Sequence, residues 1–306
     1  MTRVSRRDFV RLGASGAAAA PWVLTPAAIG GATVTAQDVV DRVRQAAGVE
    51  WNAATADGFK AGDPSTAVTG IVTTSLATIE VMRRAVTAGA NLIVTAGPTF
   101  YSRGDSPMPS AGRGRGAAST AAPDPVFTSK NDFIRTHNLV VWRFSDHWRV
   151  RTPDPFARGL AEALDWARYL RTGDPLQLVV PAVTLEALAS RVKSRLDARG
   201  GVRVVGRPQT RVRTVGLLPG TRTIQDTVAA LPRVDAIVAG EIREWESSEY
   251  VRDVVNAGVG KGLILVGRSL SEDAGMKVCA DWLRPMVPEA PVRWLPAGDP
   301  FWRPTA

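Results

Sequence analysis

The chain has 306 residues, 45% of them hydrophobic and 22% charged, and a formal net charge of +9. This composition suits a folded protein and excludes a disordered polyelectrolyte. One cysteine, Cys279, excludes a disulfide framework, and two histidines, His137 and His147, leave little imidazole for metal or acid–base chemistry. Arg3, Arg6, Arg7 and Arg11 against Asp8 account for +3, and the remaining +6 is scattered with no single basic face. A nucleic-acid partner is therefore not indicated.

Ser5-Arg6-Arg7-Asp8-Phe9-Val10 precedes the Ala-rich run Leu12–Leu24. Paired arginines before such a run resemble a twin-arginine export signal, and the run is too short to span a bilayer. Residues 1–34 are thus expected to be an address, and the protein periplasmic or otherwise exported, with no stable membrane insertion. Thr35 caps a helix whose apolar stripe is Val39, Val40 and Val43, and Gly48 ends it. Residues 51–64 read as a polar loop containing Asp57-Gly58-Phe59-Lys60. Val68–Thr73 is a strand and Leu76–Ala88 an amphipathic helix closed by Gly89.

Asn91–Thr95 is a short apolar run that reads as a strand buried on both faces, and Gly97-Pro98 stops it. In open α/β sheets ligands sit at the carboxyl ends of such strands. The Gly, Pro, Ala and Arg-rich tract 106–125 reads as a surface loop or as a basic lid over an anionic substrate. A helix over 130–137 and a strand over 139–144 follow, ending in Ser145-Asp146-His147-Trp148. Helices are expected over 155–170 and 185–199, and strands over 176–180, 202–205 and 211–217. A second strand–helix–strand unit, 234–238, 248–256 and 263–266, leads into Gly267-Arg-Ser-Leu-Ser-Glu272 and a helix over 276–283. The fold class is α/β, with duplicated, bilobal halves whose strand ends converge on one cleft.

Thr69-Gly-Ile-Val-Thr-Thr-Ser75, the helix after it and Gly89-Ala-Asn-Leu-Ile-Val-Thr-Ala-Gly-Pro-Thr-Phe100 resemble the first half of the Nif-three-like proteins, the dinuclear-metal-centre hexameric family. Gly240-Glu241 and Leu265-Val-Gly-Arg-Ser-Leu-Ser-Glu272 resemble its second half. The resemblance implies one domain over 35–306, with halves at about 35–150 and 211–290 around an intervening segment at 151–210. It also implies a homo-hexameric ring lined by metal pairs and a hydrolase-like activity of unspecified substrate.

The metal motifs depart from the family's. Its His-His-Pro turn is here Ala96-Gly97-Pro98, and its second-half histidine is here Arg268, a fixed cation. Glu272 keeps the glutamate position. Asp146 and His147 stand where the family has its middle ligands, with Ser145 or Arg149 as neighbouring alternatives in register. A dinuclear centre needs about six or more donors, so two readings follow. Asp146, His147 and Glu272 retain a divalent ion (Zn, Mn or Fe), or the fold persists as a metal-free binding or scaffolding body. In the second reading Arg103, Arg268 and Glu241 line a site for a small anionic molecule.

Overall fold

The structure is a computed structural model that describes residues 33–102, 104–105, 124–171 and 174–304. Nearly all of the expected export segment, most of the tract 106–125, and Arg103 lie outside the described residues. Chain order is α1 (Ala36–Ala46), β1 (Gly58–Ala61), β2 (Ile71–Thr74), α2 (Ile79–Thr87), β3 (Leu92–Thr95), α3 (Pro125–Thr136) and β4 (Val140–Arg143). There follow α4 (Asp146–Arg149), α5 (Pro155–Ala163), β5 (Leu170–Arg171), β6 (Asp174–Thr184), α6 (Leu185–Arg195), β7 (Arg203–Val205) and β8 (Arg211–Thr221). The chain ends with α7 (Ile224–Ala230), β9 (Ala236–Glu241), α8 (Glu249–Asn256), β10 (Gly262–Leu265), α9 (Arg268–Leu283) and β11 (Val292–Trp294).

Two mixed sheets result, ordered β1-β4-β3-β2-β11 and β5-β6-β8-β9-β10-β7. In the first, β4, β3, β2 and β11 run parallel and β1 closes an edge antiparallel to β4. In the second, β8, β9 and β10 are parallel, flanked by antiparallel β6 and β7. The units β2-α2-β3 and β9-α8-β10 are the expected pair of crossovers, and the α/β class holds.

Side-chain alternation sorts the layers. Ile71, Leu92, Val94 and Trp142 face α1 and α9, while Val72, Ile93 and Val141 face α2 and α3. In the second sheet Val215, Leu217, Val238 and Ile264 face α5 and α6, and Leu218, Ile237, Ala239 and Leu263 face α7 and α8. The helices α5 and α9 thus lie between the two mixed sheets, with α1 on the inner face of the first and α6 on that of the second, and the parallel central strands are apolar on both faces.

The chain crosses between sheets twice. After β4 it passes through α4 and α5 to the second sheet, and after β10 it returns through α9 to lay β11 beside β2. The helices α5 and α9 cross at glycines. A Cβ on Gly159 would lie 2.4 Å from Ala274 C and Gly275 N, and one on Gly275 would lie 2.5 Å from Phe156 Cδ1. Cys279 is fully buried in this layer, and burial pushes its thiol far up, so it is inert.

Several elements differ from the sequence reading. Gly58–Ala61 is an edge strand, not loop, because its glycine and lysine hide a half-buried strand from pattern reading. The helix expected over 130–137 begins at Pro125, capped by Asp124. That expected over 155–170 stops at Ala163, where Asp165 turns to φ 59°. The last helix begins at Arg268, not 276. Its first two turns carry Ser269, Ser271, Glu272 and Asp273 in buried positions, so the polar segment is buried helix rather than loop. Gly159→Ala should lower unfolding free energy in urea by at least about 2 kcal/mol. Gly260→Ala, whose Cβ would meet only Thr210 Cγ2 at 3.8 Å, should stay within about 0.5 kcal/mol.

Candidate functional site

The strands β2 and β3 end beside one another at Ser75 and Ala96-Gly97. Gly97 N–H donates to Ser75 O at 2.8 Å. A Cβ on Gly97 would stand 2.2 Å from Leu76 Cδ2 and 3.0 Å from Ser75 O, so Leu76 already fills the space a ligating side chain needs. Beyond the turn, Asp105 Oδ1 accepts the N–H groups of Thr99 and Phe100, and Arg143 Nη1 lies 3.6 Å from Oδ2. Lys130, buried, donates to Thr99 O. Burial pushes its ammonium down to about 8, partly offset by Asp105.

The exit of β4 is organised by a residue that pattern reading assigned to a loop. Asp57 Oδ1 accepts the N–H groups of Ser145 (2.7 Å) and Asp146 (3.0 Å), and Oδ2 accepts that of His147 (2.9 Å) and its Nδ1 (2.8 Å). His147 Nε2 accepts Asn52 N–H at 2.9 Å, which assigns the proton to Nδ1. The ring is 3% exposed and stacks on Trp51 with centroids 3.8 Å apart. Asp146 Oδ2 accepts Ala56 N–H at 2.9 Å. Asp146 and His147 are therefore tied to the 52–57 loop.

Glu272 lies instead among arginines. It is 1% exposed, with Oε1 2.5 Å from Arg149 Nη2 and Oε2 3.0 Å from Arg268 Nε. Pro219 O accepts both Arg149 Nη1 (3.1 Å) and Arg222 Nε (2.9 Å). Asp154 Oδ2 lies 3.9 Å from Arg149 and 3.7 Å from Arg222. Three guanidiniums thus meet Glu272 and Asp154, and Asp226 adds a further negative charge near Arg222. Arg222 Nη2 is buried with no hydrogen-bond partner. Burial and then Arg149 pull the Arg222 guanidinium below its usual value. Glu241 is exposed at the end of β9 and accepts the Thr221 hydroxyl at 3.1 Å. Arg268 and Glu272, candidates in rival readings of the sequence, are brought together as an ion pair; Arg149 entered only as a register alternative, and Arg222 and Asp154 were not distinguishable from surface charges.

Both sets of strand ends meet on α9. Thr73 Oγ1 donates to Met276 O at 2.6 Å, and Asp273 lies against Ser75, which also holds Gly97. Burial raises the Asp273 carboxyl, offset by Ser75 and by the N–H groups of Gly298 and Ala297. These donors do not fit a dinuclear metal centre. The Ala96-Gly97 turn has no room for a ligand, both His147 nitrogens are engaged, and Glu272 is held by two cations. Among the described residues no group of three or more His, Cys, Asp or Glu is arranged to hold a metal ion.

Neither the protein-family models nor the curated proteins include a match to this chain. Solved structures do match. The hypothetical protein SA1388 of Staphylococcus aureus superposes with a TM-score of 0.65 at 18% identity, covering 88% of this chain and 99% of that one. A Bacillus cereus protein related to NIF3 gives 0.62 at 14% identity, over 90% and 100%. Protein ybgI, described as of unknown function, gives 0.62 at 16%, over 87% and 100%. The fold is thus the Nif-three-like one that the strand-exit motifs resemble.

Asp57→Ala removes four hydrogen-bond acceptances at one buried carboxylate and should cost about 3 kcal/mol or more in denaturant unfolding, together with loss of the His147–Trp51 stack by NMR. The Lys130 ammonium titrates lower when folded than when unfolded, so above about 8 the unfolded chain binds the extra proton. Stability should therefore rise between about pH 8 and 10.5, by up to roughly 3 kcal/mol. Lys130→Met should abolish that rise in a pH series of melting curves.

Proposed function

We propose that this chain is a metal-free Nif-three-like binding body whose cleft takes a small anion of the phosphate or carboxylate class. One observation carries this reading: Arg149, Arg222 and Arg268 converge on the exits of β8 and β9 around Glu272 and Asp154, and Arg149 and Arg268 are not fully buried by those contacts. Arg149, at 25% exposure, and Arg268, at 23%, remain open to water. The guanidinium is a planar fork that matches a phosphate or carboxylate in two places at once. Glu272 pairs with Arg149 from the first half and Arg268 from the second, and so competes with an entering anion for both. An entering anion shares the partly exposed forks of Arg149 and Arg268. Export and assembly into a homo-oligomer belong to the same proposal, supported by the Arg6-Arg7 segment and by the fold's likeness to NIF3-related proteins.

The competing reading places one divalent ion on Asp146, His147 and Glu272. It requires Nε2 of His147 to release Asn52 and Glu272 to release two guanidiniums. A single substitution separates the two. Glu272→Gln removes a carboxylate that competes with the anion, so calorimetric titration with inorganic phosphate should show binding several-fold tighter than the parent's. Arg268→Gln should weaken it about tenfold, and salt should weaken it in every variant. No binding of phosphate by the parent would overturn the proposal. So would a rise in melting temperature on adding Zn, Mn or Fe that Glu272→Gln abolishes.

A further inference from the structure

Asp273 follows Glu272 on α9 and so projects about 100° further round the helix, away from the arginine cluster. It lines a separate cavity of about 390 Å³, between the C-terminal ends of α5 and α6 and the segment that follows β11. Leu270, Trp294 and Pro296 supply apolar wall. Two carboxylates, Asp273 and Asp299, line the cavity and are buried. Asp273 accepts the N–H groups of Ala297 (3.1 Å) and Gly298 (2.9 Å), and Asp299 those of Gly200 (2.8 Å) and Phe301 (3.0 Å).

Among the described residues neither carboxylate has a cationic side chain within ion-pair distance. Burying such a charge without a counter-charge is costly, and a ligand cation would offset that cost. Burial raises the Asp273 carboxyl, and hydrogen bonds from Ser75, Gly298 and Ala297 offset part of that rise. Arg195 and Arg199 also line the cavity. Arg199 Nη2 donates to Asp299 O at 2.9 Å, and Arg195 is half exposed beside Asp165. The cavity thus offers negative charge in its buried part, positive charge on more exposed side chains and an apolar wall. The buried Trp294 Nε1 has no hydrogen-bond partner.

We infer that this cavity binds a small zwitterion with an apolar body, an α-amino acid of the leucine or phenylalanine kind, with its ammonium on Asp273 and Asp299 and its carboxylate on Arg199 and Arg195. An anion alone would meet the two carboxylates, and an amine alone would leave the arginines unused. The volume lies within the range of small-molecule sites.

The test is calorimetric titration of the full chain with L-leucine and L-phenylalanine, beside 3-methylbutylamine and 4-methylpentanoate, which keep the leucine body and lose one charge each. The amino acids should bind about tenfold or more tightly than either analogue. Asp273→Asn should weaken leucine about tenfold without weakening 4-methylpentanoate. Arg199→Gln, at an exposed position that tolerates change, should weaken leucine and 4-methylpentanoate but not the amine. Phosphate binding at the arginine cluster should be unchanged in both variants, which separates this site from the one above. Absence of amino-acid binding at millimolar concentration would overturn the inference. So would an analogue that binds as tightly as leucine, or an Asp273→Asn or Arg199→Gln protein that binds leucine like the parent.

Discussion

The crossing of α5 and α9 at Gly159 and Gly275 is the constraint on which the rest of this molecule depends. The two helices approach so closely that any Cβ at either glycine meets backbone or the Phe156 ring. That proximity lets one middle layer serve two sheets, because α9 packs beside β2 and β11 as well as β8 and β9. It also places the first two turns of α9 where the parallel strands of both sheets end. Without it the strand exits would face separate surfaces, and no cleft would collect residues from both halves.

The electrostatics of that cleft follow from position. The start of α9 carries the positive end of the helix dipole, which disfavours a cation such as Arg268. Glu272, one turn on, offsets this and joins Arg268 to Arg149 across the two halves. A buried carboxylate is tolerable there because two guanidiniums compensate its desolvation, and neither arginine is fully spent in doing so. At the exit of β4 the polarity is reversed. Asp57 gathers three backbone N–H groups and an imidazole, and it uses His147 as a structural strut. The same short helix, α4, thus supplies a committed histidine and an arginine aimed at the cleft.

The repeated strand–helix–strand units, the apolar core strands and the likeness to Nif-three-like proteins were legible in the residues. Each rests on local periodicity or on a short contiguous motif, such as Asn91–Thr95 and Leu263–Val266. Arg268 and Glu272 were each legible as site candidates from one contiguous segment, but in rival readings, and their ion pair appears only once α9 is seen to begin at Arg268. Asp57 was not, since its partners at Ser145–His147 lie some ninety residues away. Arg149 was visible only as a register alternative, and Arg222 and Asp154 were hidden, because a charged residue facing a cleft and one facing water look alike in sequence.

The amino-acid sequence by itself therefore determined the class of fold, the two crossover units and the presence of residues without a metal-ligating side chain at Ala96, Gly97 and Arg268. Those are properties of residue type and short-range spacing. Tertiary structure alone decided that α9 begins at Arg268, that β11 returns to the first sheet, and that Glu272 meets arginines while Asp273 meets the backbone after β11. The reason is that burial and charge pairing depend on which distant segments come together. A two-sided helix such as α9 has no amphipathic stripe to announce it, and its polar first turns become interpretable only once both sheets surround them.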